Sequence, residues 1–284
     1  TLISNSTDAE YSDTTGLTSF NSNGFTIGSA SRWNNSAATY VAWQWKAGGT
    51  SSSNTNGSIT STVSVGATQG FSVVTYTGTG ANATVGHGLG VAPSMMILKN
   101  RSSAVNWRIY HASLANASTT LDFTTAAADG TNATTFNSTA PTSTVFSLGT
   151  SNVVNGSTNL QVAYCFAAVA GYSAFGSFVG NGTQGAGPFV YTGFRPRYVL
   201  IKNINGAYDW HGYDSSRSPY NYSGSNILKP NASDAELTAR NDVQIDFLSN
   251  GFRLIGNDIG INQNGSTHIY MTFAENPFRN ALAR

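Results

Sequence analysis

One block of this chain occurs twice, and that recurrence limits the architectures open to it before any local pattern is read. VAPSMMILKN (91–100) matches FRPRYVLIKN (194–203), and the frame runs on without a gap until Trp107, Tyr110 and Ser113 fall on Trp210, Tyr213 and Ser216. Upstream, YTGTG (76–80) matches FVGNG (178–182); downstream, VAYCFA (162–167) matches IYMTFA (269–274). Each unit therefore spans roughly one hundred residues, the length of a small domain. A third, incomplete copy precedes them: SFNSNGFTIG, ending at Gly28, lies on DFLSNGFRLIG, and TYVAWQWKAG (39–48) takes the place of HIYMTFAENP. The expected organisation is the C-terminal half of a repeat at 1–49, a Gly/Ser/Thr/Asn-rich linker at 50–69, and β repeats at 70–171 and 172–284. A chain that begins inside its own unit reads as the C-terminal part of a longer protein.

Within a unit, Val, Ile, Phe, Tyr and Thr fill short runs bounded by Gly, Asn and Pro, which predicts strands. FSVVTYT, SMMILKN, NWRIYHA, TVFSLG and LQVAYCFAAV are five of them, answered in the last copy by FGSFV, RYVLIKN, DWHGYD, GFRLIG and THIYMTFA. Asn23-Gly24, Asn155-Gly156, Asn250-Gly251 and Asn264-Gly265 suit the positive φ of tight turns. One short helix is expected over Ser233 to Arg240, where Ser233 and Glu236 have capping-box spacing after Pro230. The fold class predicted is all-β: tandem β-sandwich-like repeats with a partial repeat at the N-terminus.

Charge excludes several functions. Only 10% of residues are Asp, Glu, Lys or Arg, and 14 basic against 13 acidic residues give no footprint for nucleic acid. No run approaches the roughly 18 apolar residues of a spanning helix, so membrane insertion is not expected. The single Cys165, in QVAYCFAAVA, rules out an intrachain disulfide and reads as a small buried hydrophobe. GNGTQG (180–185) fits a dinucleotide fingerprint by letter, but Pro188 and a strand follow where a helix is needed, so no cofactor is expected. His87 and His268 lack companions at metal-ligand spacing.

Catalysis would need an acid-positioned base, and DWHGYD supplies Asp209, His211 and Asp214. The other copy, NWRIYHA, keeps the aromatics and replaces the three by Asn106, Arg108 and His111, so no enzyme is expected. A polysaccharide depolymerase would need two carboxylates within about 5 to 10 Å, and no acid pair recurs between units. The repeated aromatics have two readings. Trp107, Arg108, Tyr110 and His111, with Asp209, Trp210, His211, Tyr213 and Asp214, could form surfaces that stack on sugars and hydrogen-bond their hydroxyls; a ring placed alike in every copy is more often core. Trp33, Trp43 and Trp45 carry the same ambiguity.

Laid out this way, SNGFTIG, TYVAWQWKAGG, GHGLGVAPSMMILKN, GPFVYTGFRPRYVLIKN and MTFAENPFRNALAR resemble repeats of tail-fibre or appendage proteins from marine and cyanobacterial tailed phages. The resemblance covers nearly all of the chain and is weakest over 115–145. It implies a virion appendage, extracellular after release, that attaches to a host-surface glycan or protein, associates as a homotrimer and contacts other tail proteins, with Arg284 near a natural C-terminus. A shaft subunit or a bacterial surface adhesin would share these features.

Overall fold

A computed structural model of the chain describes residues 1–130, 132–221 and 224–277. It opens with β1 (Leu17–Asn21), β2 (Gly24–Ile27) and the single helical turn α1 (Ser31–Asn34). The middle unit holds β3 (Ser52–Asn54), β4 (Ser61–Gly66), β5 (Phe71–Thr77), β6 (Ala83–Gly86), β7 (Met95–Asn100), β8 (Arg108–His111), β9 (Leu121–Asp122), α2 (Ala133–Phe136), β10 (Val145–Leu148), α3 (Asn152–Asn155) and β11 (Leu160–Phe166). The last unit holds β12 (Ser173–Val179), β13 (Phe189–Tyr191), β14 (Pro196–Asn203), β15 (Trp210–Asp214), β16 (Ser225–Ile227), β17 (Leu237–Arg240), β18 (Ile245–Leu248), β19 (Gly251–Leu254), α4 (Ile259–Asn262) and β20 (Thr267–Ala274). The fold is all-β, and its named strand pairs are antiparallel.

Two large sheets form its centre. One has the order β3-β4-β5-β11-β7-β8-β9 and the other β12-β20-β14-β15, so the order β5-β11-β7-β8 recurs strand for strand. Alternation along the strands puts a core on each side of each sheet. In β7, Met96 and Leu98 join Val85, Phe146 and Leu148 beneath the β6–β10 pair. In β14, Val199 and Ile201 join Val190, Phe247 and Phe252 beneath the small sheet β13-β19-β18. The opposite faces, with Met95 and Ile97 of one sheet and Tyr198 and Leu200 of the other, share a third core between them. Each large side chain buried there contributes roughly 1.5 to 3 kcal/mol.

Three rings meet in that shared core: Trp45–Phe166, Trp45–Phe273 and Phe166–Phe273 centroids lie 6.3, 5.5 and 6.1 Å apart. Each ring follows, at one fixed spacing, the last asparagine of a helical turn: Asn34, Asn155 and Asn262. Those asparagines do the same job. Their Nδ2 donates to Gly28 O (3.0 Å), Gly149 O (2.8 Å) and Gly256 O (2.9 Å) respectively. Each of these glycines donates its own N–H to an earlier carbonyl, at Gly16, Thr135 and Gln244. The glycine is required by close approach: a Cβ would meet Thr15 O at 2.5 Å, Thr134 O at 2.1 Å or Asp242 O at 1.9 Å.

Several expectations need correction. Residues 233–236 are irregular and 237–240 form β17, so the helix over 233–240 is absent. Glu236 pairs with Arg217, which draws off the carboxylate of the capping pattern, and an isolated eight-residue helix is marginal anyway. The linker at 50–69 contains β3 and β4, because Ser61 and Val63 alternate inward and extend the large sheet. Of the Asn-Gly glycines, Gly265 takes a left-handed φ of 73°. Gly251 instead opens the returning strand of its hairpin, where a Cβ would lie 2.1 Å from Val190 O of β13. Residues 39–48 carry apolar alternation but form no ladder. The expectation for Arg284 lies outside the described residues.

Candidate functional site

The repeated aromatics are interior. Trp107 and Trp210 are 7% and 1% exposed, and Tyr110, Tyr213, His111, His211 and Asp214 are buried as well. A stacking platform needs an open ring face, so the glycan surface expected at these residues is replaced by core. Most of their polar atoms are engaged internally, with Arg108 Nε buried and without a hydrogen-bond partner. Tyr213 donates to Val243 O (2.9 Å), and Arg108 pairs with Asp122 (3.1 Å). Asp209 is held by Lys229 (2.8 Å), and His211 Nδ1 lies 3.1 Å from Asp209 O. Asp214 accepts from Arg217 (2.5 Å) and from Trp43 Nε1 (3.2 Å). His111 Nε2 donates to Tyr270 O (3.1 Å) while its Nδ1 accepts from Ser113 N–H (3.1 Å), which requires the neutral ring; burial holds its pKa down to about 4. Cys165 is buried too, its thiol pushed up to about 12 by burial.

The two tryptophans have a common task that repetition alone does not reveal. Trp107 Nε1 donates to Ile3 O (2.8 Å) and Trp210 Nε1 to Asp122 O (2.9 Å). Beside them Lys99 Nζ donates to Thr7 O (2.9 Å) and Lys202 Nζ to Thr125 O (3.1 Å). Next along, Glu10 N–H donates to Arg101 O and Ala128 N–H to Ile204 O. Each Trp–Lys pair therefore receives the strap that crosses over from the preceding unit. Residues 1–10 hold toward the middle unit the position that 122–128 hold toward the last.

Exposed aromatics lie elsewhere: besides Phe20, Tyr40 and Tyr220, two stand together on the outer face of β13-β19-β18. Phe189 (46% exposed) and Tyr191 (68%) flank the buried Val190. The register sets Phe189 opposite Arg253 and Arg253 opposite Asp246, giving one row across the sheet; Tyr191, Gly251 and Leu248 form the next. Directly opposed side chains in such rows are about 5 Å apart. Arg253 is steadied by Gly185 O (3.2 Å) and Gly187 O (3.4 Å). Burial raises the Asp246 pKa, opposed by its hydrogen bond with Gln244 and by Arg253. The arrangement offers two ring faces beside one donor fork and one carboxylate.

The corresponding face of the middle unit is different. There Thr84 stands opposite Ser147 and Gly86 opposite Val145, with no aromatic. The outer edge of β6 is also covered, since Ser58 N–H donates to Thr84 Oγ1 (2.9 Å) and Ile59 N–H to Thr84 O. β13 is the edge strand of its sheet. Finding the face from sequence required knowing that Phe189 and Tyr191 point away from the core, which the FVY run leaves open until Val190 is placed. Among the described residues no three His, Cys, Asp or Glu side chains gather as metal ligands.

A separate cleft of about 660 Å³ opens between the β1–β2 hairpin and residues 43–46, lined by Phe20, Asn21, Gly24, Trp43, Gln44 and Trp45 among others. No curated protein and no solved structure matches the chain. Residues 1–277 match a family described as a domain of unknown function, DUF7483. With nearly the whole length matched, this chain belongs to the DUF7483 family.

Proposed function

We propose that the chain is a structural and adhesive part of a tailed-phage tail fibre or similar virion appendage, and that it meets a host-surface glycan or protein through the outer face of β13-β19-β18. The observation that carries the receptor role is the contrast between the two small sheets. Shared architecture accounts for the aromatics that recur, whereas Phe189, Tyr191 and Arg253 stand where the middle unit has Thr84, Gly86 and Ser147. Rings left this exposed on one sheet face are the residues expected to take the C–H face of a pyranose, with Arg253 and Asp246 meeting its hydroxyls. The same strand lies in GPFVYTGFRPRYVLIKN, the segment closest to the phage appendage repeats. Units joined through a shared core and crossing straps suit an extended appendage.

The test is glycan-array and host-cell binding by the chain, with its mass in solution measured alongside. Tyr191→Ala and Phe189→Ala are expected to weaken binding by about tenfold or more, with the melting curve unchanged. Binding that survives both substitutions would move the receptor site elsewhere; a folded chain that binds nothing would leave a shaft subunit. Homotrimer formation belongs to the same proposal. The Trp45–Phe166–Phe273 cluster offers a three-way core within one chain, so a monomeric mass would assign the three-fold packing to single chains.

A further inference from the structure

The two complete units differ at one seam between their large and small sheets. In the middle unit β4 lies along β5, with Thr62 opposite Thr75 and Ser64 opposite Val73. The residues leading into it follow β6: Ile59 N–H donates to Thr84 O (3.0 Å), Thr84 N–H to Ser58 Oγ (2.9 Å) and the Ser61 hydroxyl to Gly86 O (2.8 Å). Residues 52–66 thus form an arm across the seam, and Ile59 and Val63 join Tyr76 and Val85 in one core. The last unit has no arm, because the turn 167–172 leads straight from β11 into β12 in the interior of the chain. Among the described residues no strand lies on the free sides of β12 and β13. Backbone groups alternate in direction along an antiparallel strand, so Phe175 and Ser177, which match Val73 and Thr75, turn their N–H and C=O outward. The core registers the difference. Ser72, Val74 and Tyr76 of β5 are buried, whereas Ala174, Gly176 and Phe178 hold the same places in β12 and are half-buried; Val179 beyond them is 57% exposed.

The chain guards the other edges of its large sheets. β3 spans three residues and β9 two, and Gly212 of β15 exchanges hydrogen bonds with Leu228 (2.8 and 3.1 Å). β12 is seven residues long, and SAFGSFV holds neither a charge nor a proline, the usual protections of an open edge. We infer that the β12–β13 seam accepts a strand from another polypeptide, an extended and uncharged arm of the kind formed by residues 57–66. The arm would run antiparallel to β12, exchange backbone bonds with Phe175 and Ser177, and set β-branched side chains at alternate positions over Phe178 and Val190. Main-chain bonds at a sheet edge, with apolar pockets beneath for alternate side chains, are the general means of strand addition. The resident arm identifies the chemistry of the incoming one: GSITSTVSVG carries no charge, and neither do β12 and β13. A second copy has no free arm to give, since its own lies on β5 and β6. The site uses strand edges and goes beyond the receptor reading, which uses side chains of the outer face.

The experiment titrates a synthetic peptide of residues 50–66 into the intact chain and follows hydrogen exchange and mass. A one-to-one complex is expected, with the amides of Phe175 and Ser177 slowed at least about tenfold and those of 71–77 unchanged. Ser177→Pro removes one outward N–H and leaves Phe189 and Tyr191 in place; it should weaken peptide binding about tenfold or more while host-cell binding stays as it was. A peptide N-methylated at Thr62 and Ser64 makes the same test without altering the chain, and should bind more weakly by a similar factor. Unchanged exchange at 175 and 177 in about millimolar peptide, or slowing confined to 71–77, would overturn the inference, as would equal binding of the N-methylated peptide.

Discussion

The hairpin β1–β2 turns at Ser22-Asn23 and the hairpin β18–β19 at Ser249-Asn250; each pairs two phenylalanines across its strands and leads to a helical turn locked by an asparagine on a glycine carbonyl. One is buried against a four-stranded sheet and the other is open. The comparison separates what local sequence can build from what packing must add. Turn, pairing and asparagine lock form without a sheet behind them, whereas burial of the rings depends on one. Conformation in these hairpins is local, and stability comes from the neighbour.

Four measurements test this contrast. Denaturant unfolding should show Phe247→Ala costing about 3 to 5 kcal/mol, the usual loss for a buried phenylalanine, and Phe20→Ala within about 0.5 kcal/mol. Equal losses would mean that Phe20 is already covered. Acid provides the second. His111 and His268 belong to the buried part, and burial lowers each pKa from 6.5 to about 4. The unfolded chain therefore binds more protons between those values, so their contribution to stability is present above pH 6.5 and is lost as pH falls toward 4. His111→Gln should flatten the melting-temperature decline over that window, whereas Phe20→Ala should leave its slope unchanged.

Third, Asn155→Ala and Asn262→Ala should each cost about 1 to 3 kcal/mol, because a buried carbonyl loses its partner, while Asn34→Ala, at the exposed copy of the lock, should cost a few tenths. Fourth, Trp107→Phe and Trp210→Phe keep most of the apolar volume and remove the strap bond. Each should cost about 1 kcal/mol, and exchange should quicken at 1–10 in the first variant and at 122–128 in the second.

Much of the strand inventory was legible because short β-branched and aromatic runs, such as SMMILKN and RYVLIKN, coincide with β7 and β14. Recurrence also pointed to residues under a common constraint. It did not identify that constraint: Trp107 and Trp210 recur because an indole N–H receives a crossing carbonyl, and sequence does not distinguish a carbonyl from a sugar hydroxyl as partner. The helix expected at 233–240 failed because the capping carboxylate Glu236 is taken by Arg217, nineteen residues earlier and invisible to a capping pattern. The exposed face escaped notice for a related reason. Phe189 and Tyr191 differ from their counterparts, so a search guided by what repeats passes over them.

Hydrogen exchange on the chain as it stands tests the central claim most directly, by following 39–47, 160–166 and 267–274 in one experiment. The account predicts near-unprotected amides at 39–47 and protection close to that of global unfolding at the other two, since all three hold the same place in their units and differ in having ladder partners. Protection at 39–47 matching that of 160–166 would show the first unit already closed and would contradict it.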